Sequence, residues 1–483
     1  MTTSAHTVRA RTSRAKEAAL VRFLVSTAGI ALFFVAIFQA IDESIVPRDI
    51  ASHARLSLLV LTPILLVLVQ TSRLGVVAPS NLFATTFYVF HFGALFVLPL
   101  IGNLDYRIHA SFERWLLDSG SIPHTILVAS ASFIGLAAGI LFERRKSEGY
   151  DLTPFSRYSI RPDTMARAGA ATAIASAGLW FYLVVGSGGI GALTSSYATY
   201  LERGLGALGG YINLGIGISA ILLASTPWRK EHRLGVLALA CFAGFGLPMG
   251  LRGEVLFPTV VALGLMAKRC GAPRIATHVP MILITLTIGL SLVSGLRVVR
   301  EFGVANAPLT AILSAPADGL AELGGSLRPV RETVRWAQNG EPPALGATYL
   351  APVQRPLAAI AGYSTDPHQD DSMMNVVILD RVGPIGFSSA AEAFHNFRLP
   401  GTILVHLLIG LLLGRIDRWR PDPLRLALSG VIMLPLLIHI RNSFISVPAS
   451  WVIGAGLLLL LARPRQNGAN TAPLRRPIGS PRP

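Results

Sequence analysis

The feature that most constrains this chain is a series of apolar runs, each close to the roughly 20 residues that a helix needs to cross a bilayer. By this length criterion the chain has about twelve of them. They lie near 22–41, 55–70, 80–101, 123–142, 166–186, 205–224, 233–250, 253–267, 278–298, 399–414, 424–440 and 445–462. Charged residues make up only 14% of the sequence, against about a quarter in a soluble domain. The sequence therefore predicts an all-α, polytopic transmembrane helical bundle.

Basic residues are distributed unevenly among the segments outside these runs. They concentrate in residues 1–21, in alternate connections and in residues 463–483, and all four lysines lie in those segments. Because cytoplasmic loops are enriched in Lys and Arg, we expect a multi-pass protein of the cytoplasmic (inner) membrane with both termini in the cytoplasm. Residues 22–41 lack a small-residue cleavage pattern and therefore predict a retained anchor. This topology accounts for the net charge of +16 without nucleic acid as a partner.

The connection after the ninth run is much longer than the others. Loops beyond about 15 residues are usually functional or disordered, and this one is rich in Pro and Gly. The predicted organisation has five parts: a cytoplasmic basic N-terminus (1–21), transmembrane helices 1–9 (22–298), a long periplasmic or extracellular loop (299–398), transmembrane helices 10–12 (399–462) and a disordered basic cytoplasmic tail (463–483).

One short helix is predicted within the long loop. Pro329 suits a first helical position, after which Val330 and Val334 fall on one face. Arg331 and Arg335 fall on another, and this separation is typical of an amphipathic helix. Basic amphipathic helices often lie on a membrane surface, and this one could lie there.

Four arginines stand out at the predicted outer ends of the spans: Arg252, Arg297, Arg300 and Arg441. An arginine at a helix end can simply extend its side chain toward the lipid headgroups. Four on the side that the charge rule disfavours suggest a shared role instead. Guanidinium groups bind phosphate oxygens in a bidentate manner, so a site for a lipid pyrophosphate is the alternative. Familiar nucleotide, zinc and serine-hydrolase signatures are absent from the sequence.

A second candidate region closes the long loop at residues 382–397. Gly and Pro mark a turn, after which Ser389 and Glu392 have the spacing of a helix capping box. Glu392 and His395 also share a helical face beside Asn396, and two such titratable groups can supply a general base. The spacing leaves the capping and catalytic interpretations equally open.

Two segments carry a family resemblance. Gly250 to Pro258 (GLRGEVLFP) and Val382 to Gly401 (VGPIGFSSAAEAFHNFRLPG) resemble the Wzy-type O-antigen polysaccharide polymerases, the oligosaccharide repeat-unit polymerases of bacterial envelopes. The resemblance spans roughly residues 240–445, and the first five spans match in layout alone. The Glu-containing motif of the family has Tyr where this chain has Phe394, and the family motif ends in Gly where this chain has Arg398. Glu392 and Asn396 match, and His395 is particular to this chain.

The resemblance implies a GT-C-like membrane glycosyltransferase that needs no metal and no cofactor. Its donor and acceptor would both be undecaprenyl-pyrophosphate-linked oligosaccharides, and its product an O-antigen, capsular polysaccharide or exopolysaccharide. A chain-length regulator and a flippase are possible partners. The expected reaction takes place at the outer face of the membrane.

The expected site combines both groups of residues. Arg252, Arg297, Arg300 and Arg441 bind the pyrophosphate, Glu392 and His395 serve in catalysis, and Glu254, Asn396 and Ser389 support them. Three other interpretations stay open. An O-antigen ligase or another GT-C glycosyltransferase shares the arginines, and a metal-using member has acidic groups such as Asp42 and Glu43 or Asp366, His368, Asp370 and Asp371. A lipid-linked sugar flippase and a non-catalytic scaffold are the others.

Overall fold

The computed structural model describes residues 48–101, 120–146, 158–189, 206–271, 319–321, 323–362 and 370–464. The predicted spans at 22–41 and 278–298 lie outside these residues. The regular structure of the described part is α-helical, apart from three short 3₁₀ turns and a two-residue antiparallel pair, β1 (Tyr158–Ser159) with β2 (Arg463–Pro464). The all-α fold class is therefore confirmed.

The structure gives the bounds of thirteen α-helices, and ten of them overlap the predicted spans. In chain order they are α1 (Arg48–Thr71), α2 (Pro79–Ile101), α3 (Ile122–Arg145), α4 (Pro162–Gly188), α5 (Gly206–Ala224), α6 (Lys230–Met249), α7 (Arg252–Cys270), α8 (Leu327–Gln338), α9 (Ala347–Ile360), α10 (Met374–Arg381), α11 (Ser389–Arg418), α12 (Pro423–His439) and α13 (Val447–Leu461).

Six described helices are long and apolar enough to cross a membrane: α1, α3, α4, α6, α11 and the segment Phe444–Leu461 that contains α13. The apolar helices Leu208–Ala224 and Pro423–His439 are shorter. This supports a multi-pass membrane protein, and the count of about twelve spans stays a prediction.

Helices α3 and α11 run side by side in the same direction through the centre of the bundle. Glycines let their backbones approach closely, because a Cβ atom at Gly135 would meet the carbonyl oxygen of Ile403, and one at Gly410 would meet that of Leu136. Small residues at helix contacts are the usual means of close packing in membranes. The pairing fixes where α11 begins and ends relative to its neighbours.

The short helix predicted in the long loop is present as α8. Its apolar residues Val330 and Val334 are fully buried in the main hydrophobic core, where the helix packs against α3 and α11. Arg331 is buried too and lies 2.8 Å from Glu332. The apolar face of α8 is therefore covered by the bundle itself, which argues against the placement on a membrane surface.

The bundle has two chemically different ends. At the basic end, Lys268 of α7 donates a hydrogen bond to the carbonyl oxygen of Ile416 in α11, and Arg418 of α11 lies 2.9 Å from Glu143 of α3. Helices α7 and α11 both begin at the opposite end, which we call the loop end. Candidate residues Arg252 and Glu392 lie there, in the first turns of α7 and α11.

Candidate functional site

The turn before α11 is held against the segment that follows α12. The amide of Phe387 donates to the carbonyl oxygen of Arg441 at 3.1 Å, and the same oxygen would lie 2.8 Å from a Cβ atom at Gly386. Gly386 also has a φ of 72°, so both its conformation and its surroundings require glycine. The predicted turn thus brings Arg441 beside the start of α11.

The start of α11 differs by one residue from the predicted capping box. Ser388 is the N-cap residue, and its hydroxyl accepts from the amide of Ala390 at 3.2 Å. Ser389 is the first residue of the helix, and its hydroxyl lies 3.3 Å from Nε2 of the buried His406. The side chain of Glu392 makes no hydrogen bond with the backbone amide of the N-cap residue. The capping interpretation of the Ser389 and Glu392 spacing was therefore wrong.

Helix α11 is kinked at Arg398, whose φ of 58° and ψ of −156° are non-helical. Its guanidinium donates to the carbonyl oxygen of Glu341 and lies 5.6 Å from the ring centre of Phe394. Non-glycine residues rarely adopt a positive φ, and such strain clusters at functional sites. The kink separates a short first segment, which carries Glu392, from the long apolar segment that follows.

The carboxylate of Glu392 is fully buried. Its Oε2 accepts a hydrogen bond from the amide of Phe444 at 2.7 Å and lies 3.8 Å from Nδ1 of His439. The hydroxyl of Thr348 lies beside the carboxylate. Even so, Oε1 makes no hydrogen bond of normal geometry with any described residue. Glu392 thus keeps one buried acceptor atom available.

Asn396 is also fully buried, and it fixes the long loop to α11. Its side-chain amide donates to the hydroxyl of Thr348 at 2.7 Å and to the carbonyl oxygen of Glu392 at 2.8 Å. Its side-chain oxygen accepts from the amide of Gly346 at 2.9 Å. The predicted supporting residue therefore positions the first turn of α9 against Glu392.

His395 lies apart from these contacts. Its Nδ1 is 3.9 Å from Glu341, and its ring meets that of Trp336 edge-on, with 6.2 Å between ring centres. The histidine within ion-pair distance of Glu392 is His439, at the end of α12. The spacing pointed to His395 because two residues three apart share a helical face, whereas His439 reaches Glu392 from another helix.

The candidate arginines are only partly described, since Arg297 and Arg300 lie outside the described residues. Arg252 is buried at the first position of α7. Arg441 lies in the segment between α12 and α13, and its charge acts on the carboxylate of Glu254 in α7. The structure thus brings Glu254 and Arg441 together, and it places Arg252 in the same helical turn as Glu254.

Sequence reasoning did not find His439, Tyr349 or Thr348. Tyr349 packs edge-on against Phe444 with 5.1 Å between ring centres, and its hydroxyl oxygen is buried. A signal existed for His439, because an ionisable residue at the end of an apolar run suggests function. No comparable signal marked Tyr349 or Thr348, which reach the site only through the fold of the long loop.

The acidic residues considered for a metal are partly described. Asp42, Glu43, Asp366 and His368 lie outside the described residues. Partial burial acts to raise the pKa of Asp370, but hydrogen bonds from Ser372 and Arg355 outweigh it and lower that pKa. Among the described ranges, no group of three or more His, Cys, Asp or Glu residues is arranged to hold a metal ion.

Comparison with protein families places the chain. Residues 22–463 match the family model described as O-antigen polysaccharide polymerase Wzy. The chain belongs to this family. The resemblance seen in two short segments is thus confirmed, and the match to the Wzy family extends through the first spans as well.

A relative of this Wzy-family chain is Protein CapE of Staphylococcus aureus, which is 26% identical over 230 residues. The aligned region covers 47% of this chain and 50% of CapE, so the chain spans about half the length of the curated relative it matches. No solved structure matches the chain.

Proposed function

We propose that this protein polymerises oligosaccharide repeat units linked to undecaprenyl pyrophosphate, at the outer face of the cytoplasmic membrane. Membership of the Wzy family supports polymerisation. The observation that carries the proposed site is the Glu392 carboxylate, which is fully buried at the loop end yet keeps Oε1 without a hydrogen bond of normal geometry from a described residue.

In the proposed reaction, Glu392 accepts the proton of a hydroxyl group on the acceptor sugar. The hydroxyl oxygen attacks the anomeric carbon of the donor glycan, and the bond from that carbon to the pyrophosphate oxygen breaks. The electron pair leaves with the lipid pyrophosphate, and the proton passes from Glu392 to solvent. The activated donor supplies the driving force, so the reaction needs no nucleotide.

The arginines bind the leaving group in this scheme. Arg252 and Arg441 are the described members, and we assign Arg297 and Arg300 the same role. Fixed positive charge is most effective where negative charge develops during the reaction. Glu254 lies within electrostatic range of Arg441, and Asn396 keeps the loop in place beside Glu392.

Replacement of Glu392 by Gln tests the proposal. General-base catalysis contributes roughly 100-fold or more to a rate, so we expect polymer to be lost while single repeat units are still made and exported. The measurement is the size distribution of polysaccharide, by gel electrophoresis, from a deletion strain that carries the variant gene.

Glu231→Gln is the matched control. Glu231 lies on α6, where its partner Arg167 is largely exposed, so its loss should leave the polymer unchanged. Long polymer from Glu392→Gln at normal protein levels would exclude Glu392 as the base. A deletion strain that still makes polymer but no longer transfers it to its final acceptor would instead indicate an O-antigen ligase.

A further inference from the structure

Four buried polar atoms that make no hydrogen bond of normal geometry with a described residue lie around Phe444, in the segment between α12 and α13. They are the hydroxyl oxygen of Tyr349, Oε1 of Glu392, Nε2 of His439 and Oγ of Ser443. We call these four residues and Phe444 the Phe444 cluster. Most buried polar groups in proteins are hydrogen-bonded, so a concentration of exceptions at one place needs an explanation.

Contacts with Phe444 bring the four residues together. The ring of Tyr349 lies 5.1 Å and that of His439 lies 5.5 Å from the ring of Phe444. Glu392 accepts a hydrogen bond from the amide of Phe444 at 2.7 Å. Ser443 immediately precedes Phe444 in the chain. The cluster therefore draws on three separate parts of the chain: the loop helix α9, the start of α11, and the end of α12 with the segment that follows it.

The hydrogen-bonding character of each group follows from its other contacts. Nδ1 of His439 is 3.0 Å from the carbonyl oxygen of Asn442, which can only accept, so Nδ1 carries the proton and Nε2 is left as an acceptor. Burial first, and the nearby Glu392 carboxylate second, raise the pKa of Tyr349 well above its usual value. The phenol therefore keeps its proton and can donate.

The unused hydrogen-bonding groups are thus two acceptors, on Glu392 and His439, and two hydroxyl groups, on Tyr349 and Ser443. Each hydroxyl group can both donate and accept. A neighbouring pair of sugar hydroxyl groups presents the matching set, since each donates one hydrogen bond and accepts others. The rings of Phe444 and Tyr349 supply apolar surface beside these polar atoms, as is usual in small-molecule sites.

We propose that the Phe444 cluster is the acceptor site, in which Tyr349, His439 and Ser443 bind hydroxyl groups of the acceptor sugar and present one of them to Glu392. This inference rests on the proposed function, and it adds the ligand and three residues that bind it. It also gives the long loop a role, because Tyr349 reaches the cluster only through α9.

The loop helix is positioned for this role by buried hydrogen bonds. Asn396 of α11 holds the hydroxyl of Thr348 and the amide of Gly346, which flank the first turn of α9. The side-chain oxygen of Asn375, in the loop helix α10, accepts a hydrogen bond from the amide of Ser443 at 3.0 Å. The loop helices α9 and α10 are therefore both held against the cluster, so that it is assembled before the acceptor arrives.

Tyr349→Phe is the sharpest test, because it removes one oxygen atom and keeps the ring. The removed hydroxyl has no hydrogen bond to a described residue, so we expect the purified variant to be at least as stable to heat in detergent as the wild type. We expect its kcat/KM to fall roughly tenfold, the effect of losing one buried hydrogen bond to the substrate. A residue with a purely structural role would lower stability instead.

The assay uses purified protein in vesicles with the lipid-linked repeat units extracted from a deletion strain, and it measures initial rates over a range of concentrations. Ser443→Ala is the second variant. It should likewise lower kcat/KM while its heat stability stays at the wild-type level. Tyr182→Phe is the matched control, since Tyr182 is 74% exposed on α4, and it should match the wild type in both measurements.

Each outcome separates this inference from the proposed function. Wild-type kinetics in both Tyr349→Phe and Ser443→Ala, with Glu392→Gln inactive, would mean that the cluster holds only water, and would overturn the acceptor site alone. A deletion strain with normal polymer would overturn the proposed function itself. Reduced kcat/KM with retained stability in both variants would support the acceptor site.

Discussion

The buried polar groups around Arg144, at the basic end of the helix bundle, differ in their pairing from those of the Phe444 cluster at the loop end. At the basic end, Arg144 lies 3.2 Å from Asp417 and donates further hydrogen bonds at 2.7 Å to the side chains of Ser80 and Asn81. Asp417 also accepts from the amide of Ser80 at 3.2 Å. Each of these groups therefore meets partners from another helix.

At the loop end, by contrast, several buried polar side chains have hydrogen-bond partners for only some of their polar atoms. Glu392, His439 and Tyr349 each keep a buried polar atom with no hydrogen bond to a described residue. Burying a polar group costs free energy unless it is paired, so paired groups serve the fold and unpaired ones indicate a ligand. The comparison predicts that substitutions at the basic end change stability first, whereas those in the Phe444 cluster change activity first.

The largest effect on stability should come from Asp417→Asn. This change removes the negative charge that faces Arg144, whose side chain is only 10% exposed. Loss of one partner from a buried ion pair costs about 3 kcal/mol or more, so the purified variant should lose its heat stability in detergent. Polymer length per folded molecule should stay normal. Wild-type stability would contradict the structural role assigned to the basic end.

Asp371→Asn provides the control for that change. The side chain of Asp371 is 94% exposed and lies 4.0 Å from Arg381. Exposed pairs contribute about 0 to 1 kcal/mol, so the same chemical substitution should have no measurable effect there. A similar loss of stability in both variants would mean that the substitution, rather than the burial of the pair, is responsible.

Arg252→Lys should have the next largest effect, and it acts on activity. The charge is kept, but lysine cannot bind two phosphate oxygens with a planar fork. Loss of one charge-assisted hydrogen bond corresponds to roughly a tenfold lower rate or more, which initial rates of polymer formation will show. Arg233→Lys, near the start of α6 and exposed, is the control. Unchanged rates in Arg252→Lys would indicate that Arg252 only anchors a helix end.

The sequence was sufficient to predict features with a local cause. Apolar length located the described spans, and the spacing of Val330 and Val334 predicted α8. Charge asymmetry put Arg252 and Glu392 at the same end, which is where the structure has them. Each of these depends on composition or on helical period, and both can be read along a single chain.

Contacts between distant segments were not predictable in the same way. Tyr349 and His439 meet around Phe444 only after the loop helix and α12 have packed, and no spacing relates them. The capping residue was missed by one position because Ser388 and Ser389 are both suitable caps. Only the backbone turn at Gly386 decides between them.

Substitution of Ser388 should have the smallest effect, and it tests the comparison between the two ends most closely. Ser388 lies at the loop end, but its hydroxyl has hydrogen-bond partners. Its hydroxyl caps α11 and lies 2.8 Å from Nε2 of the buried His91. If pairing rather than location decides the role of a polar group, Ser388→Ala should lower stability by about 1 kcal/mol, the usual cost of a lost N-cap. Polymerisation by the folded protein should continue at the normal rate.

Heat stability in detergent and initial rates measured on the same preparation will check this prediction. Ser446→Ala is the matched control, because Ser446 is also an N-cap residue but makes no side-chain capping bond. A loss of rate without a loss of stability in Ser388→Ala would show that paired groups at the loop end also take part in the reaction. The boundary of the site would then extend to Ser388 and to His91, whose Nε2 lies beside the serine hydroxyl.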